Sequence, residues 1–197
     1  MTVGIFGGTF APVHIGHILP ALKILDSGLV DEIWLMPCRQ NPLKRGETQI
    51  PDNLRIQLLD QAVNHYGVKA EKLKINDLEL KLPSPSYTIN TMNRLSELNP
   101  GILFRLIIGG DSYVNFRKWK DNEILKDRFR PIVYPRPGSN ITTVDNGFEM
   151  VKDVEIFKES STEIRQKLKE GELPKGMMPW LSENDDLTKS LLDCFKL

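Results

Sequence analysis

The sequence predicts an α/β fold built on a doubly wound parallel sheet. Short apolar runs of strand length alternate with segments of helical periodicity, which is the pattern of parallel strands joined by crossover helices. The runs are mostly apolar from end to end, as strands buried on both faces are. The order of the strands in the sheet does not follow from one sequence.

Six strands are predicted from the apolar runs. They cover residues 3–6, 32–37, 74–80, 103–108, 132–134 and 154–157. The run at 103–108 is the strongest of them and ends in two glycines, which break the regularity after a strand. Residues 139–153 carry little signal and are predicted as a loop.

The predicted helices are defined by apolar spacing and by capping residues. One begins at residue 16, others cover 52–65, 89–98, 122–126 and 160–171, and a terminal helix lies in 174–197. Ser84 or Ser86 is the expected cap of the helix at 89–98. Ser160 and Glu163 have the spacing of a capping box, so a helix should begin there.

Length and charge narrow the classes of protein. The 197 residues suit a single domain, 1–197, in which 171–197 forms a helical tail. Lysine plus arginine equals aspartate plus glutamate at 26 each, so no overall field attracts nucleic acid or a membrane surface. Any anion site must therefore be local.

The cysteines and the amino terminus indicate the compartment. Two cysteines far apart predict no disulfide framework and fit a reducing environment. The first strand follows Met1 almost at once, which predicts no signal peptide, and no apolar run approaches the length of a membrane span. We expect a cytoplasmic protein.

The most informative stretch joins the first strand to the first helix. Gly7, Gly8 and Pro12 form a loop between them, and His14 and His17 stand beside the start of the helix. Glycines let backbone N–H groups approach a phosphate, and a helix start favours negative charge. The unit therefore predicts an anion site to which both histidines contribute donors.

Other interpretations of this stretch remain open. It matches neither the dinucleotide fingerprint nor the Walker P-loop. The two histidines could bind a metal, but zinc sites usually need three protein ligands, and the other candidates, His65, Cys38 and Cys194, have no telling spacing. The histidines could also only cap and satisfy a turn.

Arg165 is a cationic residue at a helix start, and it indicates a second contribution to the anion site. Arg165 falls in the first turn of the helix that begins at Ser160, where the helix dipole favours acids. A cation there suggests a nearby anion. The alternative is an exposed ion pair with Glu163 or Glu172, which would contribute little.

The stretch also resembles a known signature. Residues 7–17, Gly-Gly-Thr-Phe-Ala-Pro-Val-His-Ile-Gly-His, are similar to the H-x-G-H motif of the nucleotidylyltransferase superfamily. Class I aminoacyl-tRNA synthetases share the spelling H-I-G-H, but they are normally much longer and carry a K-M-S-K-S motif that this chain lacks.

Further matches narrow the resemblance to the bacterial nicotinate-mononucleotide adenylyltransferases. They occur in the right order at Asn41-Pro42-Leu43-Lys44, Pro85-Ser86-Tyr87-Thr88, Gly109-Gly110-Asp111-Ser112, Trp119, Pro135-Arg136-Pro137-Gly138 and Ser160-Ser161-Thr162-Glu163-Ile164-Arg165. Two positions depart from the family. Leu43 stands where the family commonly has histidine, and Glu159 replaces an apolar residue before the serine pair. Residues after 171 match poorly.

The resemblance implies a Rossmann-like fold and an adenylyl transfer from ATP to nicotinate mononucleotide, with release of pyrophosphate and synthesis of a precursor of NAD. It implies catalytic roles for His14, His17, Lys44 and Arg165. The implied ATP site contains Gly7, Gly8, Thr9, Phe10, Gly109, Asp111, Ser161 and Thr162. The implied mononucleotide site contains Asn41, Tyr87, Thr88, Trp119 and Arg136.

The implied chemistry needs few further groups. Mg²⁺ would bind mainly through the ATP phosphates and water. ATP and nicotinate mononucleotide would be the partners, without nucleic acid or membrane, and a homo-oligomer is possible. A phosphopantetheine or cytidylyl transferase would need neither Trp119 nor the Pro-Ser-Tyr-Thr segment. A non-catalytic nucleotide sensor would bind ATP without turnover.

Overall fold

The structure is a computed structural model. It describes residues 1–38, 50–83, 86–152, 154, 160–183 and 185–196. Within these ranges no helix is long and apolar enough to cross a membrane.

A six-stranded sheet forms the centre of the molecule, and all of its strand pairs are parallel. The order across the sheet is β3-β2-β1-β4-β5-β6. The strands are β1 (Thr2–Gly8), β2 (Glu32–Pro37), β3 (Leu73–Ile75), β4 (Leu103–Gly109), β5 (Ile132–Tyr134) and β6 (Glu149–Met150). This is the doubly wound fold that the sequence predicts. The order reverses between β1 and β4, and in such sheets ligands bind at the carboxyl ends of the strands beside the reversal.

Helices cover both faces of the sheet. They are α1 (Ile15–Asp26), α2 (Asp52–His65), α3 (Leu78–Lys81), α4 (Thr88–Leu98), α5 (Gly110–Val114), α6 (Asn122–Phe129), α7 (Ser161–Lys169) and α8 (Asp186–Asp193). Two short 3₁₀ turns follow α2 and α5, at Gly67–Ala70 and Phe116–Lys118.

The core has two layers because successive strand residues point to opposite faces. Phe6 of β1 belongs to one layer, where α1, α2, α7 and α8 pack. Val3 and Ile5 belong to the other, together with α4 and α6. The terminal helix α8 lies within the segment where the sequence predicts it, and its Leu191 is fully buried in the first layer.

Two predicted strands are wrong in part. The strand predicted at 74–80 ends at Ile75, because the Asn76 side chain accepts the Leu78 N–H and the chain turns into α3. The predicted loop at 139–153 contains β6, which pairs with β5. Of the strand predicted at 154–157, Val154 is not in a strand, and 155–157 lie outside the described residues.

The predicted cap of α4 is also wrong where the structure describes it. Tyr87 occupies the N-cap position of α4, and no side chain of the described residues caps this helix. The Ser86 hydroxyl instead donates to Glu79 Oε1 at 2.8 Å. The capping box of α7 is confirmed, with Ser160 and Glu163 each accepting the backbone N–H of the other.

Candidate active site

The predicted anion-binding loop lies at the reversal point of the sheet. It leaves the carboxyl end of β1, whose neighbours are β2 and β4, and it enters α1 at His14. Long-range hydrogen bonds from α2 and α7 reach the loop, and Ile15 N–H donates to Met177 O. The loop is therefore fixed from several sides before any ligand binds.

His14 is the N-cap of α1 and is completely buried. Its Nδ1 accepts the Gly16 N–H at 3.1 Å, so Nδ1 carries no proton. In the neutral ring the proton therefore lies on Nε2, which is 3.1 Å from Ser161 Oγ and donates to it. The first residue of α7 is in this way joined to the start of α1.

His17 completes a capping box at the same helix start. Its Nδ1 accepts the His14 N–H at 3.3 Å, which again leaves Nε2 as the protonated nitrogen of the neutral ring. The two rings are 4.0 Å apart, and Phe10 packs edge-on against His17 at 5.0 Å. The two histidines therefore cap the start of α1 through Nδ1, and each ring has Nε2 as its donor nitrogen, which in His14 donates to Ser161.

His14 is held neutral by its surroundings. Burial, together with the positive charge of Arg136, lowers its pKa from 6.5 to about 3. At neutral pH this imidazole donates a hydrogen bond without carrying a charge or releasing a proton. Arg136 supplies the positive charge on the β5 side of the loop.

Arg165 is directed at the loop. One guanidinium nitrogen donates to Ala11 O at 2.9 Å, and the other donates to Thr162 Oγ1 at 2.9 Å. Partial burial lowers the pKa of Arg165. These contacts place a cation beside the loop, as the sequence predicts, and they do not involve Glu163 or Glu172.

The glycine segment forms an open floor. A Cβ added at Gly7 would meet no atom within 4 Å, whereas one at Gly8 would lie 3.3 Å from the Phe10 ring. Gly7 is exposed at the end of the otherwise buried β1. Thr9 and then Phe10 follow. Phe10 is fully buried, and its backbone φ of +44° is one that residues with a Cβ rarely adopt. Space for a ligand thus lies directly above Gly7.

Asp111 and Arg136 converge at the end of β4. A Cβ added at Gly109 would lie 2.5 Å from Arg136 Cδ and 2.6 Å from Asp111 Oδ1, so a side chain there would displace both of these groups. Tyr134 is buried beside them, and burial raises the pKa of its hydroxyl to about 12. One residue predicted for the ATP site, Asp111, and one predicted for the mononucleotide site, Arg136, therefore lie together at the end of β4.

The residues implied for the pyridine ring form a second group. Trp119 packs against the core layer that contains Ile89 of α4, and its ring lies 5.5 Å from Phe116. Lys120 Nζ is 4.9 Å from the centre of the Tyr87 ring, so the start of α4 adjoins the Trp119 turn. Thr88 is the first residue of α4.

Two predicted site residues, Asn41 and Lys44, lie outside the described residues. Among the described residues, no group of three or more histidine, cysteine, aspartate or glutamate side chains could hold a metal ion. A histidine–cysteine metal site is therefore not what the described part of the loop forms.

Sequence reasoning missed Arg55 of α2. Its side chain is completely buried and reaches the carbonyl oxygens of Thr9 and Cys38, each at 2.6 Å. The helical spacing could have indicated that Arg55 is buried, because it stands one residue after Leu54 and three before Leu58, and both leucines lie on the buried face of the helix. A charged residue beside an apolar stripe is ordinarily read as solvated.

A parallel sheet with buried histidines, glycines and arginines at its reversal point is typical of nucleotide-binding α/β proteins. The family model described as cytidylyltransferase-like matches residues 5–167. A protein of Porphyromonas gingivalis named "Probable nicotinate-nucleotide adenylyltransferase" is 35% identical over 196 residues, covering 98% of both chains. One of the same name from Bacteroides thetaiotaomicron is 40% identical over 173 residues, covering 86% of this chain and 83% of the relative.

The chain therefore belongs to the cytidylyltransferase-like family and, within it, to the nicotinate-nucleotide adenylyltransferases. The predicted family and enzyme class are confirmed. Solved structures agree on the fold. The nicotinic acid mononucleotide adenylyltransferase of Plasmodium falciparum, complexed with NaAD, has a TM-score of 0.73 at 19% identity and covers 98% of this chain and 95% of its own. A bifunctional enzyme of Francisella tularensis, complexed with AMP and a manganese ion, has a TM-score of 0.56 at 18% identity; 98% of this chain and 52% of that one are covered.

Proposed function

We propose that the protein transfers the adenylyl group of ATP to nicotinate mononucleotide, which is the reaction of its family. The observation that carries the proposal is the convergence of α1 and α7 on one loop at the reversal point of the sheet: His14 bonds to Ser161 of α7, and Arg165 of α7 donates to Ala11 of the loop that begins after the exposed Gly7. In the reaction, a phosphate oxygen of the mononucleotide bonds to the α-phosphorus of ATP. The bond from that phosphorus to the bridging oxygen breaks, and its electron pair leaves with pyrophosphate.

The protein does not need a general base for this reaction, because the attacking phosphate oxygen is already anionic at neutral pH. Catalysis then consists of positioning and of stabilising the charge that develops on pyrophosphate. His14 and His17 suit this task as Nε2 donors, the His14 bond to Ser161 Oγ being exchanged for one to a phosphate oxygen when ATP binds. With its pKa lowered to about 3, His14 cannot serve as a general acid at neutral pH.

The cations have separate places in this proposal. Arg165 and the first N–H groups of α7, at Ser161 and Thr162, bind the ATP phosphates. Lys44 is proposed for the same phosphates. Arg136, which lies near His14 at the end of β5, binds the phosphate of the mononucleotide.

Mg²⁺ fits the site only as an ion carried by the nucleotide. The described residues offer no cluster of carboxylates or histidines for it, so the ATP phosphates and water would supply most of its ligands. Bound in this way, the ion would neutralise charge on the phosphates. Asp111 is not needed as a metal ligand, and we propose that it binds the ribose of adenosine, since it stands in the first turn of α5 beside Gly109.

The start of α4 is proposed to bind the carboxylate of the nicotinate ring. No described side chain caps this helix, and the Asn90 N–H already donates to Tyr87 O, so the N–H groups of Thr88 and Ile89 are the ones proposed to face an anion. Trp119 stacks on the ring and holds acid and amide forms alike. The amide would direct N–H groups at donors, which costs about 1–3 kcal/mol for each unsatisfied group.

Pyrophosphate release with nicotinate or nicotinamide mononucleotide tests the proposal. The acid should be preferred by roughly a hundredfold in kcat/KM, since about 1.4 kcal/mol corresponds to tenfold. Tyr87→Asp sharpens the test, because an aspartate at the N-cap would accept the same N–H groups and repel the carboxylate. Relative to the control Tyr87→Ala, it should lower kcat/KM for the acid by roughly tenfold or more and leave the amide nearly unchanged.

Absence of pyrophosphate release with every mononucleotide would contradict the proposed reaction. Equal kcat/KM for acid and amide would contradict the assignment of α4 alone. The cytoplasmic location, the single-domain organisation and the oligomeric state stay predictions.

A further inference from the structure

Arg55 is an unusual residue to find inside this core. Its side chain has no exposed area, and it lies among apolar residues of α2. Nη1 donates to Thr9 O and Cys38 O, and Nη2 donates to Asp52 Oδ1 at 2.5 Å. Nε has no partner among the described residues. The guanidinium is thus enclosed with most, but not all, of its donors in use.

Stability alone does not explain this arrangement. Taking a charge out of water is costly, and well-packed apolar residues often replace a buried ion pair without loss of stability. The partner carboxylate of Asp52 is 41% exposed, so it compensates the buried charge only in part. The other bonds of Arg55 go to backbone carbonyls, whose positions the guanidinium thereby determines.

Those two carbonyls belong to adjacent strand ends at the active-site edge. Thr9 begins the loop after β1, and Cys38 follows β2. Cys38 N–H also donates to Gly8 O at 2.9 Å. The peptide group is planar and trans here, so a Thr9 C=O held toward Arg55 directs the Phe10 N–H the opposite way.

The next residue needs such restraint. Phe10 has a φ of +44°, a conformation that persists only where the surroundings impose it. Arg55 holds the carbonyl before Phe10, and Arg165 holds the carbonyl after it, at Ala11. The Phe10 ring in turn packs edge-on against His17 at 5.0 Å.

We infer that Arg55 is a positioning residue, which acts through Thr9 and Phe10 on the placement of His17. The inference rests on the proposed function for its catalytic consequence. Without the guanidinium, the loop relaxes at Phe10 and the imidazole donor moves away from the phosphates. Misplacement of a catalytic group by about 1 Å can cost roughly a hundredfold in rate.

The test compares Arg55→Met with a matched control, Arg105→Met. Arg105 of β4 also donates twice to a backbone carbonyl, Arg130 O at 3.1 and 2.9 Å, and pairs with Glu149. It lies near the amino end of β4, away from the site. Pyrophosphate release should fall roughly tenfold or more in kcat for Arg55→Met and by less than about twofold for Arg105→Met.

A second readout does not depend on turnover. Hydrogen exchange of the amides at 10–15 should accelerate in Arg55→Met and stay as in wild type in Arg105→Met. If the wild type releases no pyrophosphate, the proposed function fails, and the exchange experiment still decides the positioning role. Unchanged loop exchange together with unchanged kcat in Arg55→Met would overturn the inference, as would equal losses in both variants.

Two further variants decide the case in which Arg55→Met does not fold. Arg55→Lys keeps the charge with one nitrogen, and Asp52→Asn removes the ion pair while leaving the carbonyl contacts. The lysine variant should lose about threefold or more in kcat and the asparagine variant less than about twofold. If the asparagine variant lost more kcat than the lysine variant, catalysis would depend on the ion pair and not on the carbonyl contacts, and the inference would be overturned.

Discussion

The neutrality of buried His14 makes stability depend on pH. Burial, assisted by Arg136, lowers its folded-state pKa from 6.5 to about 3. As the pH falls below 6.5, the unfolded chain takes up a proton at this imidazole and the folded protein does not. Protonation therefore favours the unfolded state, and the free energy of unfolding decreases as the pH falls from 6.5 toward 3.

The size of the effect follows from the two pKa values. Each pH unit between them contributes at most about 1.4 kcal/mol. Between pH 7 and pH 5 the contribution of His14 amounts to about 2 kcal/mol, and this figure is the same for any folded-state pKa below about 4. For a domain with 5–15 kcal/mol of total stability, on the scale of ordinary proteins, such a loss is easily measured.

Urea unfolding followed by circular dichroism at pH 7, 6 and 5 provides the measurement. His14→Asn keeps a good N-cap residue for α1 but has no group that titrates in this range. Its free energy of unfolding should fall by about 2 kcal/mol less than that of the wild type between pH 7 and pH 5. His65→Asn serves as the matched histidine control. Equal pH dependence in the wild type and His14→Asn would refute the reasoning.

Three further substitutions test separate parts of the site. His17→Ala removes the imidazole donor, so kcat should fall about 100- to 1000-fold while circular dichroism shows a folded protein; wild-type turnover would contradict the role. Gly7→Ala places a methyl group where no atom lies within 4 Å, so the melting temperature should not decrease, but the KM for ATP should rise; an unchanged KM would remove ATP from this position. Trp119→Ala should raise the KM for acid and amide mononucleotides by similar factors, and a changed ratio would mean that stacking discriminates between them.

Local signals account for most of what the sequence could predict. The helix at Asp52–His65 and the strands at Glu32–Pro37 and Ile132–Tyr134 have the predicted bounds, because their apolar patterns and flanking turn residues coincide. The loop and helix start around His14 and His17 could also be predicted from the sequence, since glycines, histidines and a helix start lie within a few residues of one another. The predicted family and reaction followed from motifs of this kind.

The errors have a tertiary origin. Ser86 was one of the predicted caps, but it lies one residue before the N-cap position, and its hydroxyl donates to Glu79, seven residues earlier. Nothing in the local pattern shows that Glu79 will be partly buried, nor that desolvation will raise the pKa of its carboxyl. The short β6 escaped prediction for a related reason, because two residues become a strand only when β5 is available to pair with them.

The same distinction applies within the site. His14 and Ser161 are 147 residues apart, and Ala11 and Arg165 are 154 apart, yet each pair forms a hydrogen bond. The end of β1 supplies the glycines and histidines, and α7 supplies the serine and the cation that face them. Neither half can bind a triphosphate through all of these contacts alone. Because the contacts require the sheet to be assembled between them, loss of nucleotide binding and unfolding of the sheet should occur in one transition.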